Sequence, residues 1–268
     1  MRYKRVEILA VAFILCLACR AFGVLDSNIG YVSDSSGAQL LTVDLATGQA
    51  SVVGPFEIVS NVTGLAYDPV GNVMYGISAI GDALYTIDIE LGTATLVGEF
   101  GLDDSLVMHG LTYDSKTNTL YSSASSQKNL YTIDVTTGTA SVVASTNPTS
   151  ISGLAIDPFE DILFGSPASL AGNGVYTIDK ISGAATRIGT GMLAFNGLAF
   201  DPSNKRLYGV RNEDDSLYWI DTITGEGYLI GNLGINDVNP LGFEIVPEPM
   251  SATLLLLGSI IALQKRRR

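Results

Sequence analysis

The chain has 268 residues, 47% of them hydrophobic and 16% charged, with a formal net charge of −12. That is a globular composition with ample apolar content for a core, and the length alone allows one or two domains. Bases crowd the two ends (Arg2, Lys4, Arg5 and Arg20; Lys265, Arg266, Arg267 and Arg268), so residues 24–246 keep seven bases against 25 acids, a net of −18. A body this acidic repels nucleic acid and anionic lipid and leaves neutral sugars, cations or basic partners.

The first segment reads as a secretory signal with a helical core. Arg2, Lys4 and Arg5 form a basic start, Ile8 to Cys19 an apolar run, and Ala21-Phe22-Gly23 a small-residue site. Residues 1–23 are therefore expected to be removed by a signal peptidase before Val24. The apolar run is too short to span a membrane. Cys16-Leu17-Ala18-Cys19 spells C-x-x-C, but both cysteines of the chain lie in this discarded segment. The body then has no disulfide and no thiolate metal site.

A repeat follows. Gly64-Leu65-Ala66-Tyr67-Asp68 recurs as Gly110-Leu111-Thr112-Tyr113-Asp114, Gly153-Leu154-Ala155-Ile156-Asp157 and Gly197-Leu198-Ala199-Phe200-Asp201, at spacings of 46, 43 and 44 residues. A degenerate fifth copy, Pro240-Leu241-Gly242-Phe243-Glu244, comes 43 residues later. Between the copies stand Leu41-Thr42-Val43-Asp44, Tyr85-Thr86-Ile87-Asp88, Tyr131-Thr132-Ile133-Asp134, Tyr176-Thr177-Ile178-Asp179 and Tyr218-Trp219-Ile220-Asp221. Each is followed four residues after its Asp by Gly48, Gly92, Gly138, Gly183 or Gly225. One unit holds four short β-rich runs separated by Asp-Pro and Asp…Gly turns.

Four strands in about 44 residues is the period of a propeller blade. The body opens in mid-blade at Ile29-Gly30-Tyr31-Val32, which matches a second strand, and closes with a lone first strand from Leu241 to Val246. Residues 24–246 are thus expected to form an all-β, five-bladed β-propeller of four-stranded antiparallel blades. The C-terminal strand joins the N-terminal blade and shuts the ring; an open solenoid and a larger two-chain ring are the alternatives. The unit resembles the NHL and YncE-like propeller repeats over roughly residues 28–246. Its Gly64-Leu65-Ala66, Asp68-Pro69, Gly71-Asn72 and Ile87-Asp88 match their pattern. Those families include lectins, lyases, lactonases and plain scaffolds, so the resemblance implies a fold and little about function.

The tail, residues 247–268, continues the order. Val246-Pro247-Glu248-Pro249 leads into an apolar run from Met250 to Leu263 and a basic end at Arg266, Arg267 and Arg268. This resembles the PEP-CTERM sorting signal. The resemblance implies recognition by an exosortase-type membrane protease, cleavage near the motif, and delivery to the cell surface or extracellular matrix of a Gram-negative bacterium. A hydrophobic helix of about 14 residues spans about 21 Å, short of a hydrocarbon core of about 30 Å. Such a helix suits transient anchoring in the inner membrane with its basic end inside.

The body offers little chemistry. His109 is the single histidine, and there is no nucleophile elbow and no phosphate-binding glycine loop. Asp44, Asp88, Asp134, Asp179 and Asp221 repeat with the blade, as do Asp68, Asp114, Asp157 and Asp201, and so read as turn caps. The tyrosines and Trp219 read as inter-blade packing. Thr63, His109, Ser152, Asn196 and Asn239 are different. They precede the innermost strand in each blade, each after an apolar residue, and vary from blade to blade. A ring of neutral hydrogen-bonding groups at one channel mouth suits sugar hydroxyls or ordered water. It holds no carboxylate for glycosidase chemistry and no charged oxygen for a hard cation, so no metal is expected there. Loop calcium could be held at Asp103-Asp104 or Glu213-Asp214-Asp215, with solvated charge as the plain alternative. No other cofactor is expected. The expectation is a non-catalytic exported propeller that binds exopolysaccharide, another glycan or a surface protein. A coat protein without a ligand and, less favoured, a propeller hydrolase or lyase are the alternatives.

Overall fold

β1 (Ile29–Asp34), β2 (Gln39–Asp44) and β3 (Ala50–Pro55) begin the ordered sequence of strands. The computed structural model describes residues 29–102, 106–124, 127–147, 149–167, 173–235 and 240–246. The signal segment, the tail from Pro247 on, Asn239 and the Asp103-Asp104 pair lie outside the described residues.

Blade 2 is β4 (Val62–Asp68), β5 (Val73–Ser78), β6 (Ala83–Ile87) and β7 (Ala94–Glu99). Blade 3 is β8 (Met108–Asp114), β9 (Thr119–Ala124), β10 (Asn129–Ile133) and β11 (Ala140–Ser145). Blade 4 is β12 (Ile151–Asp157), β13 (Ile162–Pro167), β14 (Tyr176–Ile178) and β15 (Ala185–Arg187). Blade 5 is β16 (Gly197–Asp201), β17 (Arg206–Arg211), β18 (Ser216–Ile220) and β19 (Gly227–Asn232). β20 (Pro240–Ile245) pairs antiparallel with β1, giving blade 1 the order β20-β1-β2-β3. The protein is a five-bladed all-β propeller with the split closing blade that the repeat predicts.

Local chemistry explains the hairpins. Asp44, Asp88, Asp134, Asp179 and Asp221 each accept hydrogen bonds from the amides two and three residues on, at 2.7–3.0 Å. These bonds, led by the Ser182 amide at Asp179 and the Thr224 amide at Asp221, hold those two carboxyls below the ordinary range. The turn glycines that follow have φ between 70° and 83°, the left-handed region that side chains avoid. Alternating side chains fill the gaps between blades. Ile77 and Leu84 of blade 2 pack with Met108, Leu111 and Tyr131 of blade 3; Tyr208 and Leu217 of blade 5 pack with Val32 and Leu41 of blade 1.

One polar clamp joins blades 3 and 4. Lys180 Nζ lies 2.8 Å from Asp114 and 2.6 Å from Asp161, and the Asp114 side chain is 1% exposed. Burial pushes the Asp114 carboxyl up, but hydrogen bonds from Lys180, Thr117 and the Lys116 amide outweigh it and hold the group below its usual value. Lys180→Met leaves that buried charge without its cation and is expected to cost about 2–3 kcal/mol in urea unfolding at pH 7. Adding Asp114→Asn should recover part of the loss.

The fifth copy of the inner strand departs from the sequence phasing, which puts Pro240 in the place of the repeat glycine. Tyr31 pairs with Glu244 as Tyr75 pairs with Ala66, so Gly242 holds the glycine place, two residues further on. The reason is steric. A Cβ on Gly64 would stand 2.4 Å from the His109 carbonyl of the next inner strand, one on Gly197 2.7 Å from the Leu241 carbonyl, and one on Gly242 2.9 Å from the Leu65 nitrogen. At Gly64, Gly110, Gly197 and Gly242 the backbone of the next inner strand comes too close for any side chain, and at Gly153 it leaves 3.1 Å. Leu241 therefore takes the Thr63 slot, Phe243 the Leu65 slot and Glu244 the Ala66 slot.

Candidate functional site

Each inner strand starts at one pole of the ring and contributes a residue, a glycine and an apolar residue to a common axial cavity. Thr63, His109, Ser152 and Asn196 all line it, and Leu241 supplies the fifth place. The strands thus bring together four of the five residues singled out from the sequence. Asn239 falls outside the described residues. The cavity holds about 10 Å³ of water-accessible space, room for about one water and not for a sugar ring.

The four side chains are engaged unequally. Thr63 is buried, and its hydroxyl donates to the Met108 carbonyl of the next blade at 2.8 Å. Ser152 is also buried. Asn196 is half-buried, and its side-chain oxygen accepts from the Asn212 amide at 3.1 Å. His109 is half-buried too; burial pushes its imidazole below the ordinary value, so it stands neutral at pH 7. The mouth is therefore an uncharged rim of His109 and Asn196 over a narrow axis.

Deeper along the axis stands a group that sequence reading missed. At the level of Ala66, Thr112, Ala155 and Ala199, blade 1 carries Glu244. Its carboxylate oxygens accept from the Ile245 amide at 2.8 Å and from the Tyr67 amide of the neighbouring inner strand at 3.3 Å. Tyr67 is thus using the edge of β4 that faces away from β5, which places the carboxyl between the inner strands of blades 1 and 2. Burial pushes it up to about 8, against the pull of the two amides. Its signal in the sequence was a lone acid among alanines and a threonine, legible only once the register is right.

The acidic loop at Glu213-Asp214-Asp215 already has a cation. Arg211 lies 3.3 Å from the Glu213 carboxylate and 3.1 Å from Asp214. Among the described residues, no group of three or more carboxylate, histidine or cysteine side chains is placed to hold a metal ion, and no helix is long and apolar enough to cross a membrane.

A closed ring of five four-stranded blades is a five-bladed β-propeller. Residues 31–194 match the family described as "Repeat of unknown function (DUF6923)", and the chain belongs to that family. A comparison with curated proteins found no match. Among solved structures, a chain of a nidogen/laminin complex is similar, with a TM-score of 0.58 at 16% identity over 83% of this chain and 82% of that one. A structural-genomics protein of unknown function from Bacteroides thetaiotaomicron gives a TM-score of 0.59 at 16% identity. That match covers 83% of this chain and 63% of the other, so this chain spans less than two thirds of its length. At such identities the likeness concerns the fold.

Proposed function

We propose that this propeller is exported and works by binding, without catalysis, a glycan or another component of the cell envelope. The observation that supports this most directly is the mouth: neutral polar side chains that differ from blade to blade converge on one pole, with His109 and Asn196 at its rim. The axial cavity takes about one water, so a ligand would rest on the rim from outside. The body's net charge of −18 favours neutral or basic ligands. The signal segment and the Pro247-Glu248-Pro249 tail motif support a route through signal peptidase, a transient inner-membrane anchor and an exosortase-type protease. The end point is the surface or matrix of a Gram-negative cell.

Calorimetry of the protein with neutral and acidic exopolysaccharides, with and without calcium, tests the reading. Saturable binding that disappears in a His109→Ala, Asn196→Ala variant of unchanged stability is the expected result. A folded protein that binds none of them would favour a second reading, a structural surface protein without a ligand. The commitment of the Thr63 hydroxyl to the Met108 carbonyl, and the small cavity, speak for that second reading.

A further inference from the structure

Each blade carries a row of cross-strand partners on the face turned toward the next blade. On the outer two strands of four blades the row is hydroxylic: Thr42 opposite Ser51, Thr86 opposite Thr95, Thr132 opposite Ser141, and Thr177 opposite Thr186. In blade 5 the same two places are Trp219 and Tyr228. A residue shared by every blade serves the blade; here one blade alone departs, by two large aromatic groups where small hydroxyls suffice elsewhere.

The geometry gives those groups a direction. The two rings stack with centroids 4.3 Å apart and planes 11° from parallel. The Arg206 guanidinium lies 5.6 Å from the Trp219 ring centre, so Trp219 is held between Arg206 and Tyr228. β19 is the outermost strand of its blade. With Trp219 on its inner side, Tyr228 turns its other face outward, and it is 41% exposed. Its hydroxyl donates to Glu226 at 2.9 Å, which fixes the ring and raises the phenol's pKa.

We propose that the outward face of Tyr228, backed by Trp219 and flanked by Glu226, is a stacking site for a pyranose ring of a neutral glycan. The electron-rich face of an aromatic ring attracts the weakly positive C–H face of a sugar. The Glu226 carboxylate accepts hydrogen bonds from sugar hydroxyls. Glu226, with Asp221 close by, repels a uronic acid. The inference rests on the reading of this chain as a glycan-binding protein and adds, to the contact at the rim of the axial mouth, a second one at the outer edge of blade 5.

Trp219 is the chain's one tryptophan, so its emission reports on this site alone. The full chain is titrated with cello-, manno- and chitohexaose and with hexagalacturonate, by calorimetry and by fluorescence in parallel. The expected result is that a neutral hexasaccharide binds, shifts the tryptophan emission, and binds at least about fivefold more weakly to Tyr228→Ala. Tyr228→Phe should keep the affinity within about twofold, because the face and not the hydroxyl does the stacking. Hexagalacturonate should bind more weakly than the neutral sugars. Calorimetric binding with unmoved emission and no effect of Tyr228→Ala would overturn the stacking site and leave the glycan reading standing. Equal or tighter binding of hexagalacturonate would overturn the neutral specificity. No calorimetric binding of any sugar would overturn both readings.

Discussion

Glu244→Gln is expected to stabilise the protein by about 2–4 kcal/mol at pH 8.5 and to leave its stability nearly unchanged at pH 4. The carboxyl has an ordinary value of 4.5 and is pushed up to about 8 in the folded ring. Below 4.5 both the folded and the unfolded chain hold the proton, and the native contribution is fully present. Between 4.5 and 8 the unfolded chain releases the proton while the folded one keeps it. Stability is lost across that window at up to about 1.4 kcal/mol per pH unit. The side chain is only half-buried, and screening by solvent softens the total, hence the smaller figure. The groups that face the carboxyl do not relieve it. Tyr31 is its cross-strand partner and Tyr67 lies on the adjoining strand, each with a phenol raised first by burial. Among the described residues no cation pairs with it. Urea unfolding of both proteins at pH 4, 6 and 8.5 checks the point, because the difference between them removes the background of the other acids. Two parallel curves would mean that the carboxyl titrates as if in open water.

Gly242→Val is expected to destabilise by about 3 kcal/mol or more, and Pro240→Ala by no more than about 1 kcal/mol. A side chain at 242 would meet the Ser33 hydroxyl at 2.8 Å, the Leu65 nitrogen at 2.9 Å and the Gly64 carbonyl carbon at 3.0 Å. Two of these are backbone of the neighbouring inner strand and cannot turn aside. The Gly242 amide also donates to the Ser33 hydroxyl at 2.7 Å, a bond that ties β20 to β1. Strain at this point is strain in the seam that closes the ring, so the whole thermal transition should move. A larger loss from Pro240→Ala than from Gly242→Val would restore the phasing read from sequence.

The two residues at issue show how far the sequence could be read. The four good copies keep Gly-Leu or its Asp-Pro companion as landmarks, and counting them with the half-blade at Ile29 gives five blades. The fifth copy offers two alignments. Leu241 can be set on Leu65, or Gly242 on Gly64. What decides between them is the approach of another blade's backbone, which no local pattern carries. Asn239 entered the polar ring through that phasing, and Leu241 stands in its place. The mouth was legible as a set of varying residues, but not the commitment of Thr63 to the Met108 carbonyl across a blade boundary. Trp219 was visible beside four threonines in otherwise matching segments. Its partnership with Tyr228 needed the register of β18 with β19, including the irregularity between Leu217 and Tyr218.

The split blade also gives the ring a polarity. Gly30 pairs with Ile245, so the chain enters and leaves at the same end of blade 1, while β20 starts beside the mouth at Pro240. The six residues of β20 separate the two ends by about 16 Å at about 3.3 Å per residue. Both ends of the described ring therefore lie at one pole, and the rim with His109 and Asn196 lies at the other, so the seam that closes the ring runs from pole to pole.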